Sequence, residues 1–547
     1  WSGNFIRDNG IGVCLIGIDQ IILPEEISNS LPFPIPSSLP VENNYIEGND
    51  IDNNTIGVGL LGASNNYIRR NDSTLWFTEP PISVFEGSQN QPNINGPSFP
   101  PGDEFGDEPP FFFPPINTGG ITGNDLAGVG IAGIKELTVY DSENPVFTLH
   151  LPATGNEISE NYIAFNELFG VGLLGASENI IKDNNPESSL PSLEQAISSE
   201  NRPNVIPGIP YSAITANGLA GIGIIGIENF ELSVGNDFSL VAELPAKENE
   251  ILNNLIAYNG LFGVGMLGAS DTLIEGNDIN SNLIGVGAIG VDSISTAIGP
   301  FASFTSFPIG YEGLPGAQPK ATDIVKESLI PPVSFDISME SEGNEIRGNV
   351  ITGNALAGIG LLNSDKAVIE GNTIQNGGDH PVAEGNAISE ISQAPIFFGD
   401  LGIGIALSDA DETEITKNVI QGNKVGLVDL PNLLDLVGTI FDPTIEVRTS
   451  SGNSAHFNSI TGNEIGLALE TFMNVTPTGN GIFDATLNYW GNEDGPTVDW
   501  GSDGTIDYSG GGDTIIAPEN AVSFSPWISG PDVNATKPGT QIDQDPE

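Results

Sequence analysis

The chain has 547 residues and is very acidic, with 72 Asp and Glu against 15 Lys and Arg and a formal net charge of −57. Nucleic acid and anionic membranes are excluded as partners because phosphate binding needs clustered cations, and acidic polysaccharides are disfavoured for the same reason. Carboxylates at this density repel one another, and high salt, bound divalent cations or acid would weaken that repulsion. Only 16% of the residues are charged, which favours an extracellular or cell-surface protein over one from a salt-loaded cytoplasm.

The cysteine content and the hydropathy of the sequence further limit the class of protein. The single cysteine excludes an internal disulfide framework. Cys14 occupies the position that Gly59 and Gly172 fill in later repeats, so we expect it to be a small buried residue. The sequence has no apolar run of roughly 18 residues, the length a spanning helix needs, so no membrane insertion is expected.

Along the chain, asparagines recur at intervals of five residues, beginning with Asn44, Asn49 and Asn54. An isoleucine stands two residues after most of them, as at Ile46 and Ile51, and a glycine-rich octet closes each set. The octets are GVGLLGAS at 57–64 and 170–177, GVGMLGAS at 263–270 and GIGLLNSD at 358–365. Self-similarity at a fixed short period is typical of a repeat architecture.

A repeat of 22 or 23 residues is too short for a helix pair and suits one turn of a coil built from short strands. Asparagine tolerates left-handed backbone conformations, so it is suited to the corners, where stacked side chains can form hydrogen-bonded ladders. The isoleucines would fill the interior. Counting the G-[VIL] strands gives about eleven coils.

A second type of octet alternates with the first along the chain: GVCLIGID at 12–19, GVGIAGIK at 128–135, GIGIIGIE at 221–228 and GVGAIGVD at 285–292. Insertions interrupt the coils, and we expect those that leave at similar phases to gather on one side. The predicted organisation is one β-helix domain at 1–528 and a polar tail at 529–547. Insertions are expected near 19–42, 73–118, 136–154, 186–211, 230–247, 291–341, 378–396 and 430–450.

Several insertions are rich in Pro and Phe, for example PPGDEFGDEPPFFFPPI at 100–116 and GPFASFTSFPIGYEGLPG at 299–316. Their phenylalanines would form large apolar patches if they were exposed. Two interpretations stay open: the insertions cover the flank of the rod itself, or they contact another subunit or a ligand groove.

The repeat N-x-I-x-x-N-x-I-x-x-N-x-x-G-[VI]-G-[LI] resembles that of right-handed parallel β-helix proteins, including the NosD-like and pectate-lyase-like proteins and many microbial surface proteins. Near the C-terminus, NYWG at 488–491 and SPW at 525–527 are similar to the closing segment common in such repeats. The resemblance implies an all-β fold, a right-handed parallel β-helix or β-solenoid. It implies little about function, because this scaffold carries many activities.

No lyase, hydrolase or esterase motif is evident, and we therefore expect a protein that is not an enzyme, with no catalytic residues and no certain cofactor. The resemblance to pectate lyases would require an Arg or Lys base beside calcium-binding acids; Arg347 and Lys417 instead take outward polar repeat positions. A copper role like that of NosD would require His and Met clusters, and the three histidines are far apart in sequence.

Calcium is the most plausible metal because hard cations prefer carboxylates and carbonyls. The candidate ligands are Asp409, Asp411 and Glu412 in SDADE, with Asp503, Asp507 and Asp513 as a second group that polar turns also explain. Sequons that permit N-glycosylation begin at Asn53, Asn71, Asn474 and Asn534.

Trp1 enters the first coil without a capping helix, which reflects either trimming or a docking face. The function expected first is an extracellular structural protein that self-associates into a filament, sheath or surface layer through the β-helix ends and insertions. The alternative is a secreted carbohydrate-active or carbohydrate-binding β-helix protein.

Overall fold

The computed structural model describes residues 4–24, 28–29, 36–71, 120–185, 213–235, 237–298, 333–375, 402–432, 435, 447–469, 482–500, 505–531 and 542–543. Almost all of their secondary structure is β, arranged as three long sheets of parallel strands that wind in coils around one interior. The predicted fold, a right-handed parallel β-helix of about eleven coils, is confirmed. Within the described residues, no helix has the length and hydropathy needed to cross a lipid bilayer.

Each coil contributes one strand to each of the three sheets in turn. Sheet 1 contains β4 Tyr45–Glu47, β7 Tyr67–Arg69, β12 Glu157–Ser159, β15 Ile180–Lys182, β21 Glu250–Leu252, β25 Leu273–Glu275, β31 Glu345–Arg347, β35 Val368–Glu370, β38 Glu414–Thr416, β41 Ser454–His456, β44 Phe483–Asp484 and β48 Val522–Ser523. Sheet 2 contains β1 Phe5–Arg7, β5 Asp50–Asp52, β8 Ile121–Thr122, β13 Tyr162–Ala164, β16 Ala213–Thr215, β22 Leu255–Ala257, β26 Asp278–Asn280, β32 Val350–Thr352, β36 Thr373–Gln375, β39 Val419–Gln421 and β42 Ser459–Thr461. Sheet 3 contains β2 Ile11–Ile16, β6 Ile56–Leu61, β9 Ala127–Ala132, β14 Phe169–Leu174, β17 Ala220–Ile225, β23 Phe262–Leu267, β27 Ile284–Ile289, β33 Ala357–Leu362, β37 Ile403–Ser408, β40 Val425–Leu430, β43 Ile465–Leu469, β47 Gly512–Ala517, β45 Pro496–Trp500 and β46 Tyr508–Ser509.

Rows of aliphatic side chains fill the interior of the rod. The isoleucine in the middle of each short strand points inward, so Ile51 and Ile68 are fully buried and pack in register with their counterparts one coil away. Sheet 3 contributes two inward residues per strand, such as Val58 and Leu60. The spacing of the isoleucines in the sequence therefore predicted the core.

Asparagine ladders run along the corners, as predicted. At the corner between sheets 1 and 2, each side-chain amide donates to the Oδ1 of the asparagine one coil further on, as Asn254 does to Asn277 at 3.0 Å. The backbone N–H of Asn254 donates to the same oxygen at 2.8 Å. These bonds satisfy polar groups that are buried at every corner, which is why the interior tolerates them.

The ladder at the corner between sheets 2 and 3 ends on Asp513 rather than on another asparagine. Its carboxylate accepts the side-chain amide of Asn463 at 2.8 Å and the backbone N–H groups of Gly462 and Asn463. A carboxylate only accepts, so it suits the end of a ladder whose last amide has no further asparagine to donate to.

Hairpins that leave the corner between sheets 3 and 1 form an additional antiparallel sheet, named here the lateral sheet. In spatial order its seven strands are β28 Val291–Ile298, β29 Val333–Met339, β18 Ile227–Val234, β19 Phe238–Leu244, β10 Ile134–Asp141, β11 Asn144–Leu151 and β3 Gln20–Ile22. The insertions near 19–42, 136–154, 230–247 and 291–341 thus gather on one side. Those near 73–118, 186–211 and 378–396 leave from other corners, and all three ranges lie outside the described residues.

The alternation of the two octet types follows from the size of a hairpin. A hairpin has two strands and so occupies two coils of the rod, at roughly 4.8 Å per strand. The outgoing strand β10 continues from β9, and the returning strand β11 lies one layer back, between β10 and β3. That layer belongs to the coil of β6, which carries no hairpin of its own.

Glycines at the corner make room for the returning strand. A Cβ on Gly62 would lie 2.8 Å from the Leu151 Cβ, and the same collision recurs between Gly175 and Leu244. These glycines also have positive φ, +58° at both positions. Glycine is therefore required at this position for two reasons: its φ is positive, and the neighbouring strand leaves no room for a Cβ.

Three further pairs of short strands complete the described structure: β20 Ala246–Lys247 with β24 Ala269–Ser270, β30 Ser341–Glu342 with β34 Ser364–Asp365, and β49 Trp527–Ile528 with β50 Ile542–Asp543.

Cys14 is exposed, so the prediction that it is buried is wrong. It pairs in register with Gly59 in sheet 3, and this column of small residues alternates with the inward-pointing Val58 and Leu60. The column therefore faces outward, and small size there does not indicate burial.

Candidate functional site: a carboxylate cluster around Arg448

A group of three carboxylates around one arginine lies at the corner between sheets 3 and 1, next to the last hairpin of the lateral sheet. Four successive coils contribute to it immediately after their sheet 3 strands, with Asp292, Asn363, Asp409 and Asn432. Asp292 lies on β28 of the last hairpin, and the other three residues occupy the same corner in the next three coils.

Asn363 occupies the position that Gly62 and Gly175 fill in earlier coils. It keeps the positive φ of that position, at 49°, and the returning strand that excludes a side chain from the earlier coils has no counterpart beside it in the described sheet. Its amide donates to Asp292 Oδ1 at 3.1 Å. The octet GIGLLNSD therefore has asparagine where GVGLLGAS has glycine, in a coil that has no returning strand beside this corner among the described residues.

Arg448 is the cation at the centre of the cluster. Its Nε lies 2.8 Å from Asp435 Oδ2 and 3.4 Å from Asp409 Oδ2, and its guanidinium also contacts Asp292 and Asn363. The hydrogen bonds that Arg448 donates to Asp435 raise the pKa of Arg448 above its usual value.

The cluster is open to solvent on one side. The side chains of Arg448 and Asp292 are 41% and 66% exposed, whereas those of Asp409 and Asp435 are 9% and 17% exposed. A ligand can therefore reach the guanidinium and one carboxylate, while the inner carboxylates hold the guanidinium in place.

Asp409 is the inner carboxylate beside the guanidinium. Its Oδ2 accepts the side-chain amide of Asn432 at 2.7 Å. Burial raises the pKa of Asp409, an effect that the amide and Arg448 oppose without cancelling. Its carboxyl is therefore easier to protonate than an ordinary aspartic acid.

Asp365 and Asp411 extend the cluster toward sheet 1. Asp365 Oδ1 accepts the backbone N–H of Asp411 at 2.9 Å, and burial raises the pKa of Asp365. Asp411 Oδ1 in turn accepts the N–H and hydroxyl of Ser451 at 2.6 and 3.0 Å. Backbone donors thus fix both carboxyls.

Asp429 lies beneath the cluster, inside the rod. It pairs in register with Leu407 and stands in a row that is otherwise apolar. Its carboxyl accepts the Ser450 hydroxyl at 2.7 Å and lies 3.5 Å from the Asn453 amide, and burial raises the pKa of Asp429 to about 7. The sequence carried a signal for it, because GLVDLP at 426–431 places Asp429 where the sheet 3 strands of the two preceding coils have Leu407 and Leu361.

The structure brings Asp409 and Asp411 into this cluster but does not assemble Asp409, Asp411 and Glu412 as metal ligands. Among the described residues, no group of three or more His, Cys, Asp or Glu is arranged to hold a metal ion. The Asp409 and Asp411 carboxylates already accept hydrogen bonds from the protein. A calcium site here stays a prediction that this geometry does not favour.

The remaining predicted residues have structural roles or lie elsewhere. Asp507 accepts the Trp500 N–H and Asp513 ends an asparagine ladder, while Asp503 lies outside the described residues. Lys417 and Arg347 both pair with Glu370 on the outer face of sheet 1.

Of the four sequons, two fall on described residues. Asn71 is fully buried and its amide is bonded within a ladder, which gives a glycan no access to it. Asn53 is exposed at a corner and stays a candidate. Asn474 and Asn534 lie outside the described residues.

Sequence reasoning missed Arg448, Asp292, Asp365 and Asp435. Arg448 and Asp292 are 156 residues apart in the chain, so only the stacking of coils brings them together. The replacement of glycine by Asn363 was the visible signal that this corner changes.

The family model for NosD, described as a periplasmic copper-binding protein, matches residues 336–437. That segment spans most of the coils that build the cluster. The predicted resemblance to NosD-like and pectate-lyase-like β-helix repeat proteins is confirmed. The periplasmic description agrees with a location outside the cytoplasm. The comparison with curated proteins found no match.

Solved structures with a similar fold include the A-module of the mannuronan C-5 epimerase AlgE6 of Azotobacter vinelandii, at 10% identity and a TM-score of 0.32, covering 90% of this chain and 78% of that one. Pectate lyase Pel9A is similar at 10% identity and a TM-score of 0.31, covering 68% and 64%. A mannuronic acid-specific family 6 polysaccharide lyase from human gut microbiota is similar at 10% identity and a TM-score of 0.31, covering 89% and 80%. At this identity the likenesses show the fold alone.

The prediction that the chain is not an enzyme is corrected: solved structures with a similar fold include epimerases and lyases, so this fold does not exclude enzymatic activity. The absence of their sequence motifs does not decide whether a β-helix protein is active. The described residues do not fit the copper site that the NosD description implies. Their histidines, His150 in the lateral sheet and His456 in sheet 1, belong to no group of metal ligands. The predicted filament assembly stays a prediction.

Proposed function

We propose that this chain is a secreted, carbohydrate-active β-helix protein that binds a polysaccharide at the Arg448 cluster. The observation that carries the proposal is the position of Arg448, 41% exposed and fixed by Asp292, Asp409 and Asp435. A guanidinium donates and carboxylates accept, so together they match the mixed donors and acceptors of sugar hydroxyls.

The charge of the cluster favours a neutral polysaccharide. Three carboxylates already neutralise Arg448, and the whole chain carries −57. A polyanion such as alginate or polygalacturonate would be repelled at a distance and would find no unpaired cation at this site. The proposal therefore differs in substrate class from the mannuronan and pectate enzymes with a similar fold.

Acid–base chemistry is available at the same place. Glycosidic bond cleavage requires a carboxyl that is protonated near neutral pH beside one that is ionised. Burial raises the pKa of Asp365 and Asp409, whereas Asp292 is largely exposed to water. Asp409 pairs with Arg448, so Asp365, whose carboxyl does not, is the candidate for a proton donor.

The test is a panel of soluble polysaccharides incubated with the purified full chain. Dextran, laminarin and galactomannan represent the neutral class, and alginate and polygalacturonate the acidic class. Binding is measured by affinity electrophoresis and cleavage by reducing-end release. We expect retardation by at least one neutral polysaccharide and none by the acidic ones.

Arg448→Ala should abolish that retardation. Arg347→Ala is the matched control, since Arg347 is also a partly exposed arginine paired with two carboxylates, but on the outer face of sheet 1. Equal retardation of Arg448→Ala and the wild type would overturn the assignment of the site. Binding to the acidic polysaccharides alone would overturn the substrate class.

A further inference from the structure

The lateral sheet has one face that is apolar across all seven strands. Residues directly opposite each other in an antiparallel sheet point to the same side. The registers therefore place on one face a row that runs from β28 to β3: Ile294, Ile337, Phe230, Ala242, Leu137, Leu149 and Ile21.

A second row, farther from the rod, lies on the same face and consists of Phe335, Leu232, Leu240, Val139 and Phe147. All five of these side chains are partly exposed rather than buried. The apolar face is therefore not covered as a protein core would be, although its composition is that of a core.

The opposite face of the lateral sheet is polar and charged. One of its rows holds Asp336, Glu231, Val241 and Thr138 in register, and the next holds Ser334, Ser233, Ser239 and Tyr140. In a chain with a net charge of −57, the carboxylates of these rows are thus kept on one side. The face that carries Leu232 and Leu240 carries none in its two central rows.

We propose that the apolar face of the lateral sheet is an interface with a second copy of this chain, formed by packing two lateral sheets face to face. Seven strands at about 4.8 Å spacing and roughly six residues at about 3.4 Å give a face of about 600 Å². Two such faces bury about 1,200 Å², which reaches the range of stable dimers.

A second copy satisfies the chemistry of this face better than an unrelated partner. Aligned packing of two twisted sheets is the arrangement by which apolar sheet faces are usually buried. A two-fold axis through the face would bring apolar rows against apolar rows and leave Asp336 and Glu231 of each chain on the outside. The rods themselves would stay apart, so their negative charges need not be brought into contact.

The experiment measures the mass of the full chain by analytical ultracentrifugation over a range of concentrations. The wild type is expected to be a dimer that dissociates on dilution. Leu240→Glu places a carboxylate at the centre of the apolar face, between Leu232 and Val139, and is expected to be monomeric at every concentration tested.

The control is Ser239→Glu, one residue earlier on the same strand and on the polar face, opposite Ser233 and Tyr140. It should remain dimeric. If Leu240→Glu loses the β circular dichroism of the wild type, Leu240→Ser replaces it. That variant removes apolar area without charge, and we expect it to raise the dissociation constant at least tenfold.

A wild type that is monomeric throughout would overturn the proposal and point to coverage of the face by a segment of the chain itself or by another protein. A Leu240→Glu variant that dimerises as the wild type does would overturn it as well, because the contact would then lie elsewhere. Neither outcome bears on carbohydrate binding at Arg448, which is assayed separately.

Discussion

Gly62 and Leu151 meet at the corner where the lateral sheet joins the rod, and a Cβ on Gly62 would stand 2.8 Å from the Leu151 Cβ. The same relationship between Gly175 and Leu244 recurs two coils further on. The contact couples a coil that has no hairpin to the returning strand of the next coil's hairpin. It explains why a coil without a hairpin needs a glycine at this corner when a returning strand lies beside it.

Replacing Gly62 with alanine should destabilise the rod more than the backbone conformation alone requires. Gly48 is the matched control because it too has positive φ, +69°, but a Cβ there meets nothing within 4 Å. Gly48→Ala should cost about 1–2 kcal/mol for the left-handed conformation. Gly62→Ala should cost about 1–3 kcal/mol more for overpacking. Guanidinium unfolding followed by circular dichroism measures the free energy of unfolding of both variants. Equal losses of stability would contradict the requirement for glycine beside Leu151.

Asn363→Gly should separate the corner's structural role from its proposed binding role. Glycine suits the positive φ of 49° at this position, so the unfolding midpoint should stay close to that of the wild type. The variant loses the hydrogen bond to Asp292 and the contact with Arg448, so Arg448 is held less firmly. We expect weaker retardation by the neutral polysaccharide in affinity electrophoresis. Unchanged retardation with unchanged stability would show that Asn363 does not position the guanidinium.

Asp429 should make the stability of the rod fall as the pH rises. Its pKa is about 7 in the folded chain and roughly 4 in an unfolded one. The protonated carboxyl therefore favours the folded state fully below about pH 4, and this contribution is lost as the pH rises through about 7. Asp429→Asn cannot ionise, so it should be more stable than the wild type at pH 8 and similar to it at pH 4.

Denaturant unfolding of both proteins at several pH values measures that difference. Glu370 is a comparison residue whose pKa is shifted in the opposite direction. The hydrogen bond that Lys417 donates to it lowers its pKa. Glu370→Gln should lose a small amount of stability above about pH 4.5, where the wild-type carboxylate is ionised. Parallel pH profiles for Asp429→Asn and the wild type would show that Asp429 is not the group responsible.

The asparagine ladders predict a large loss of stability for one isosteric substitution and a small loss for another. Asn254 donates to Asn277 Oδ1 and to the Ile181 carbonyl, and Asn254→Asp would leave acceptors facing acceptors in a buried place. A loss of about 3 kcal/mol or more is expected. Asp513→Asn can keep its oxygen toward Asn463 and loses only the bond from the exposed Gly462 N–H, so it should cost about 1 kcal/mol. Thermal unfolding of the two variants checks this, and a similar loss in both would mean that Asp513 is not simply the end of a ladder.

The sequence predicted the rod because its information is local and repeated. The Asn–Ile spacing determines the corners and the core coil by coil, as at Asn254 and Ile256, both fully buried. The lateral sheet was predicted only as insertions on one side, since its strands lie outside the repeat and pair with strands from different coils. Cys14 was wrongly predicted to be buried because a small residue in a strand can point either into the core or out of it. Here the row of small residues that contains Cys14 and Gly59 points outward.

The cluster could be predicted only in part. Asp409 and Asp411 stood out as an acidic run, and Asp429 could have been found from its interior position in the octet. Arg448 could not have been assigned to the cluster, because its partners Asp292 and Asp435 come from different insertions and their meeting depends on how the coils stack. Isolated charges in insertions carry no periodic signal.

The most direct test of the proposed site is hydrogen–deuterium exchange of the full chain with and without the neutral polysaccharide that retards it. The account predicts slower exchange of the backbone amides at 363–365, 409–411 and 448–451, with sheet 2 unchanged. Protection confined to sheet 2 or to the lateral sheet, with no change at these three segments, would contradict it.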